Sequence, residues 1–166
     1  MLILPRLEEL DVSGNTMAGL EVEYPAVVLK KLIVDCNRLE KLSITAECPA
    51  LVRLSCSDNH LSSLEGLPNA PRLQYLHLDM NNFSDFPANL DRLKPLRQLS
   101  ISHNSLCSPC PLHLPVLQLL HCAYNRLHSL SFLSHCRLLQ ELHSDHNQLQ
   151  ELAFGQLPEL QVLQVP

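Results

Sequence analysis

The feature that most limits what this chain can become is a frame, LxxLxLxxNxL, that returns seven times. It opens at Leu7, Leu29, Leu51, Leu73, Leu96, Leu117 and Leu139, with steps of 22, 22, 22, 23, 21 and 22 residues. A partial copy follows from Leu160. Residues 51–67, LVRLSCSDNHLSSLEGL, carry the pattern most completely. The ninth place stays in phase throughout, as Asn15, Asn37, Asn59, Asn81, Asn104, Asn125 and Asn147. A repeat of this length cannot bury its own apolar face, so neighbouring copies must stack to form a continuous core.

Within each frame, places four and six are apolar and two apart, the period of a strand with one buried face. Place four reads Leu10, Leu32, Leu54, Leu76, Leu99, Leu120, Leu142; place six reads Val12, Val34, Cys56, Leu78, Ile101, Cys122, Ser144. The asparagines, flanked by apolar residues, are expected inside the turn after the strand. There each amide would pair backbone groups of its own and the adjacent repeat, a structural ladder whose loss leaves buried groups unpaired at roughly 1–3 kcal/mol each. About a dozen residues remain per repeat for the return path, too few for a long helix with loops. Short 3₁₀ turns or irregular extended segments are expected there. The fifth tail, CSPCPLHLPV, is the exception: Pro109 takes its fourteenth place, and its three prolines favour stiff, extended backbone.

On this frame the chain resembles the leucine-rich repeat superfamily over nearly all its length. Its spacing is similar to the 22-residue intracellular class of repeat, which includes a regulatory subunit of protein phosphatase 1. The resemblance implies an α/β solenoid over residues 1–166, a horseshoe with a parallel β-sheet on its concave face and 3₁₀ or irregular convex segments. Leu4 fits the late part of an earlier repeat and Pro166 interrupts a strand, so the chain reads as a piece of a longer array.

Composition narrows the function. Net charge is −5 with no basic block, which argues against a nucleic-acid partner held by phosphate contacts. No apolar run approaches the roughly 18 residues of a membrane span, and MLILPRLEEL is too soon charged for a signal peptide. Seven cysteines in no framework spacing favour free thiols and an intracellular, cytoplasmic setting. The sequon Asn82-Phe83-Ser84 then reads as a chance match.

The remaining places of the frame point to the concave face or its rim. They gather a strip of aromatic, aliphatic and polar residues of the composition found at protein interfaces: Arg53, Tyr75, His77, Asp79, Met80, His103, Leu119, His121, Tyr124, His143, Asp145 and His146. An ordinary solvated sheet face is the plainer alternative. His121 and His143 share place five in adjacent repeats, about 4.8 Å apart along the stack. With Asp145 and His146 near, such a cluster suits a divalent metal or a pH switch, but spacing does not supply a four-ligand zinc geometry, and no metal or cofactor is assigned. Cys107 and Cys110 form a CxxC without the second pair or the βαβ context that zinc or thioredoxin-like chemistry needs. His143-Ser144-Asp145 has the letters of a triad, yet strand alternation turns Ser144 away from its neighbours. No P-loop, GxGxxG or HExxH stretch occurs. The reading is therefore a non-enzymatic module that binds a partner protein on its concave face, with a scaffolding or regulatory role. The alternative is the substrate-recognition arm of a larger enzyme, a ubiquitin ligase or a phosphatase complex.

Overall fold

The computed structural model describes residues 6–23, 25–107 and 110–165; Leu4, Pro109 and Pro166 lie outside them. Among the described residues ten strands follow one another: β1 Glu9–Asp11, β2 Gly19–Val22, β3 Lys31–Ile33, β4 Lys41–Ile44, β5 Arg53–Ser55, β6 Tyr75–His77, β7 Gln98–Ser100, β8 Leu119–His121, β9 Glu141–His143 and β10 Val162–Gln164. Eight of them make one parallel sheet in the order β1-β3-β5-β6-β7-β8-β9-β10. Each of these strands covers places three to five of its frame. The place-four leucines align across every pair, from Leu10 beside Leu32 to Leu142 beside Leu163. The middle six, Leu32 to Leu142, are at most 1% exposed. The whole is a leucine-rich repeat solenoid with its sheet on the concave side.

The core is a stack of leucine layers closed at place eleven, where Leu39, Leu61, Phe83 and Leu106 are fully buried. The return path differs from the simple expectation in the first two repeats. There β2 and β4 pair as a second parallel sheet, with Leu20 beside Leu42 and Val22 beside Ile44, and Ser43 bridges onward to Glu65. The sequences GLEV and KLSI alternate apolar and polar residues and end on β-branched side chains, a strand signal that a four-residue length makes faint. Later repeats return through single 3₁₀ turns at Leu67–Asn69, Leu90–Arg92 and Ser131–Leu133. Phe86 of the fourth repeat reaches Phe132 of the sixth, ring centroids 5.5 Å apart, spanning the shortened tail of the fifth.

Candidate functional site

The turn after each strand shows how the frame holds the site in place. In Asn81, Nδ2 donates to the carbonyls of Cys56 (2.9 Å), Leu78 (3.2 Å) and Asp79 (3.1 Å), while Oδ1 accepts from the Leu61 amide (2.9 Å). Asn37, Asn59, Asn104, Asn125 and Asn147 repeat this four-bond pattern across their own repeat boundaries. Asn15 is exposed, and among the described residues its amide donates locally, to the Val12 and Ser13 carbonyls.

The residue before each asparagine is left-handed. Gly14, Cys36, Asp58, Met80, His103, Tyr124 and His146 all have φ between 53° and 69°. Their N–H groups point along the stack: Met80 N donates to Ser102 O and Tyr124 N to Asp145 O. A side chain in this conformation costs roughly 1–2 kcal/mol relative to the ordinary helical well, and for bulky residues it is uncommon. Its consequence here is a row of side chains held outward. Met80 is 52% exposed and Tyr124 45%. The Tyr124 ring is stacked between His103 (4.2 Å, 10°) and His146 (4.1 Å, 17°). Sequence reasoning placed these residues at the rim but missed the backbone that aims them. Only Gly14 and Asp58, residues that tolerate φ > 0, carried a signal of it.

The open face of the sheet carries places three and five. The Arg53 guanidinium lies 4.8 Å above the Tyr75 ring. His77 stands between Ser55 and Ser100 in register, half-buried, and its Nε2 is enclosed without a hydrogen-bond partner. Burial, reinforced by Arg53, lowers its pKa against the opposing pull of Asp79 and Asp35. His121 and His143 meet edge to face, centroids 4.4 Å apart. Leu119 is flanked by Gln98 and Glu141, so it stands apart from Tyr75.

Two of the strip's acids are differently employed. Asp79 Oδ1 accepts from both Ser100 Oγ and Ser102 N, each at 2.7 Å. Asp35, which the sequence reading left out, does the same for Ser55 and Ser57. The readable signal was an Asp at place seven followed by serines at places five and seven of the next repeat. Asp145 instead lies 3.8 Å from His146.

The triad letters do not converge. Ser144 is fully buried and its hydroxyl donates to the Gln164 carbonyl. Cys107 and Cys110 are engaged by different neighbours: Cys107 Sγ lies 3.6 Å from His128 Nδ1, while the Cys110 amide and thiol both address Asp85. Cys110 also lines a cleft of about 440 Å³ with Asp85, Phe86, Leu90, Pro111 and His113, built by the return segments and not by the sheet. Buried Cys56, Cys122 and Cys136 have thiol pKa values raised by desolvation, Cys122 to about 12 and Cys136 to about 11, so they act as small hydrophobes. Among the described residues no helix is long and apolar enough to cross a membrane.

Comparison with known proteins agrees with this architecture. No family model matches the chain. It is 35% identical over 97 residues to acidic leucine-rich nuclear phosphoprotein 32 family member A of Drosophila pseudoobscura pseudoobscura, covering 56% of this chain and 35% of that protein. It is 34% identical over 105 residues to a Roc-COR-CHAT protease from an unknown prokaryotic organism, covering 62% of this chain and 10% of that one. The chain thus spans about a third or less of the curated relatives it matches. Among solved structures, YopM from Yersinia enterocolitica superimposes with a TM-score of 0.69 at 24% identity, over 96% of this chain and 38% of that one. Repeat frame, solenoid and likenesses together make this chain a leucine-rich repeat protein built on 22-residue repeats, a fold that commonly serves as a scaffold for protein–protein interaction.

Proposed function

We propose that the chain is a non-enzymatic interaction module that holds a partner protein on its concave face, in a scaffolding or regulatory role. The observation that carries this reading is the outward-held row at place eight, where Met80 and Tyr124 remain about half exposed on strained backbone. Strain of that kind persists where surrounding structure enforces it and is concentrated at functional positions. Tyr75 with Arg53 and Leu119 on the sheet supply further anchors in a polar surround, the arrangement of interface hot spots. Arg53, His77, His103, His121, His143 and His146, with Asp145 at the rim, give that surround its hydrogen-bonding capacity. The seven cysteines, in no framework spacing, support an intracellular setting.

The test compares proteins captured by wild type and by Tyr75→Ala/Tyr124→Ala, with circular dichroism to establish that the variant is folded. A partner bound by wild type and lost from the variant supports the concave site. Capture of the same partners by both sinks it.

The likeness to a protease, of which the chain covers 10%, favours a second reading as the recognition arm of a larger enzyme. The full reading frame decides it by containing or lacking a catalytic domain.

A further inference from the structure

The repeat shortens abruptly in the middle of the chain: the fourth copy takes 23 residues, from Leu73 to Leu96, and the fifth only 21, from Leu96 to Leu117. Their return segments therefore do not match. The longer one turns through the 3₁₀ segment Leu90–Arg92, while the shorter one passes residues 110–114 without regular structure. The cleft of about 440 Å³ lies between them, within the roughly 300–1,000 Å³ of ordinary ligand pockets. Pro87 and Pro111 stand in its wall. Their rings fix the local backbone, so the wall has little freedom to collapse into the hollow.

The lining is apolar in its depth and acidic at its mouth. Leu90 and Leu112 are each 3% exposed, and the half-buried Phe86 ring is backed by Phe132. Asp85 and Asp91 are exposed in the same lining, which holds no Lys or Arg among the described residues. The neighbouring cation, Lys94, is engaged by backbone: its Nζ donates to the His113 carbonyl at 3.2 Å. Asp85 is fixed in place, since its Oδ1 accepts from the Phe86 amide (2.7 Å) and the Cys110 amide (3.3 Å). Its Oδ2 meets the Cys110 thiol at a long 3.8 Å. A carboxylate offers about four acceptor sites, so Asp85 keeps capacity for a stronger donor.

We propose that this cleft binds an arginine side chain and its apolar neighbours, presented by a segment of a partner protein. Charge and shape point the same way. Two carboxylates beside an apolar hollow, on a chain of net charge −5, select a cation that carries a long apolar body. The arginine stem covers apolar surface while its head stays at the polar rim. Its guanidinium takes carboxylates in a planar fork and stacks on aromatic faces, as the Phe86 ring allows, whereas a lysine ammonium is a point charge. The site is independent of the concave face, because none of its lining residues belongs to a strand of the sheet.

The experiment titrates an acetylated, amidated leucine–arginine–leucine peptide into the isotope-labelled chain and follows the backbone amide resonances. Saturable shifts are expected at Phe86, Leu90, Asp91 and Leu112. The same peptide with citrulline in place of arginine keeps the shape without the charge and should bind at least ~10-fold more weakly. A peptide with glutamate at that place should not bind. Asp85→Asn and Asp91→Asn should each weaken the arginine peptide several-fold. Asp91 is exposed, so its variant tests the charge even where Asp85→Asn loosens the turn. Tyr75→Ala/Tyr124→Ala, which removes the concave anchors, should leave the affinity unchanged. Equal binding of the citrulline peptide would make the cleft an apolar groove with no preference for a cation and overturn the proposal. Absence of saturable shifts, shifts centred elsewhere, or indifference to both carboxylate variants would overturn it as well.

Discussion

Asp79 reaches across a repeat boundary to Ser100: its Oδ1 stands 2.7 Å from the serine hydroxyl and equally close to the Ser102 amide. One carboxylate thereby holds the strand end and the turn of the following repeat together. Because charge-assisted bonds are stronger than neutral ones, the pair should show coupling. Thermal or urea unfolding of Asp79→Ala, Ser100→Ala and the double variant should give an interaction energy of about 1 kcal/mol or more. Strict additivity would show that the contact contributes nothing measurable. The same geometry limits what Asp79 can offer a partner, since one of its oxygens is already committed.

The asparagines differ in what their loss exposes. Asn81→Ala removes four hydrogen bonds and strands carbonyls and an amide in a buried turn. It should lower unfolding free energy by about 2 kcal/mol or more, whereas Asn15→Ala, with two exposed local bonds, should stay under ~1 kcal/mol. Equal losses at the two sites in denaturant melts would contradict the ladder as an inter-repeat brace.

Backbone conformation supplies a third contrast. Gly66 has φ +80°, and a Cβ there would run into the Ile44 carbonyl. Gly14 has φ +69° with open space around it. Gly66→Ala should therefore cost about 2–4 kcal/mol, strain plus collision, and Gly14→Ala only about 1 kcal/mol of strain. Comparing the two melting curves separates sterics from conformational preference. A tolerated Gly66→Ala would mean that the bridge between Ser43 and Glu65 yields at little cost.

Much of the fold was legible because one side-chain type repeats in register. Leucine at place four must face inward in every copy, and that alone sets the strand pairing from Leu10 to Leu163. The pair of β2 and β4 was not, because four residues of alternation in GLEV and KLSI are outweighed by the general shortness of the return path. The candidate site divides in the same way. The neighbour of His121 followed from the shared place five of adjacent repeats. The stack of His103, Tyr124 and His146 did not, since it depends on a left-handed backbone that their side chains ordinarily disfavour. Nor did the reach of Asp35 and Asp79, which depends on how far one turn overhangs the next.

His77 offers a reading of the sheet face through pH. Burial, then the Arg53 guanidinium, holds this histidine below its ordinary value of 6.5, against the weaker pull of Asp79 and Asp35. In the unfolded chain it gains its proton near pH 6.5, while in the fold it resists until lower pH. The unfolded state thus binds more protons between those two values, and stability contributed by neutral His77 is present above pH 6.5 and falls as pH drops through the window. His77→Gln removes that one-proton dependence and leaves the other groups in place. Melting temperatures of the two proteins should therefore run parallel from pH 8 to 7 and converge or cross between pH 6.5 and 5, with wild type losing stability faster. Curves that stay parallel throughout would show that His77 titrates as freely in the fold as in the open chain, and that its enclosed Nε2 finds solvent after all.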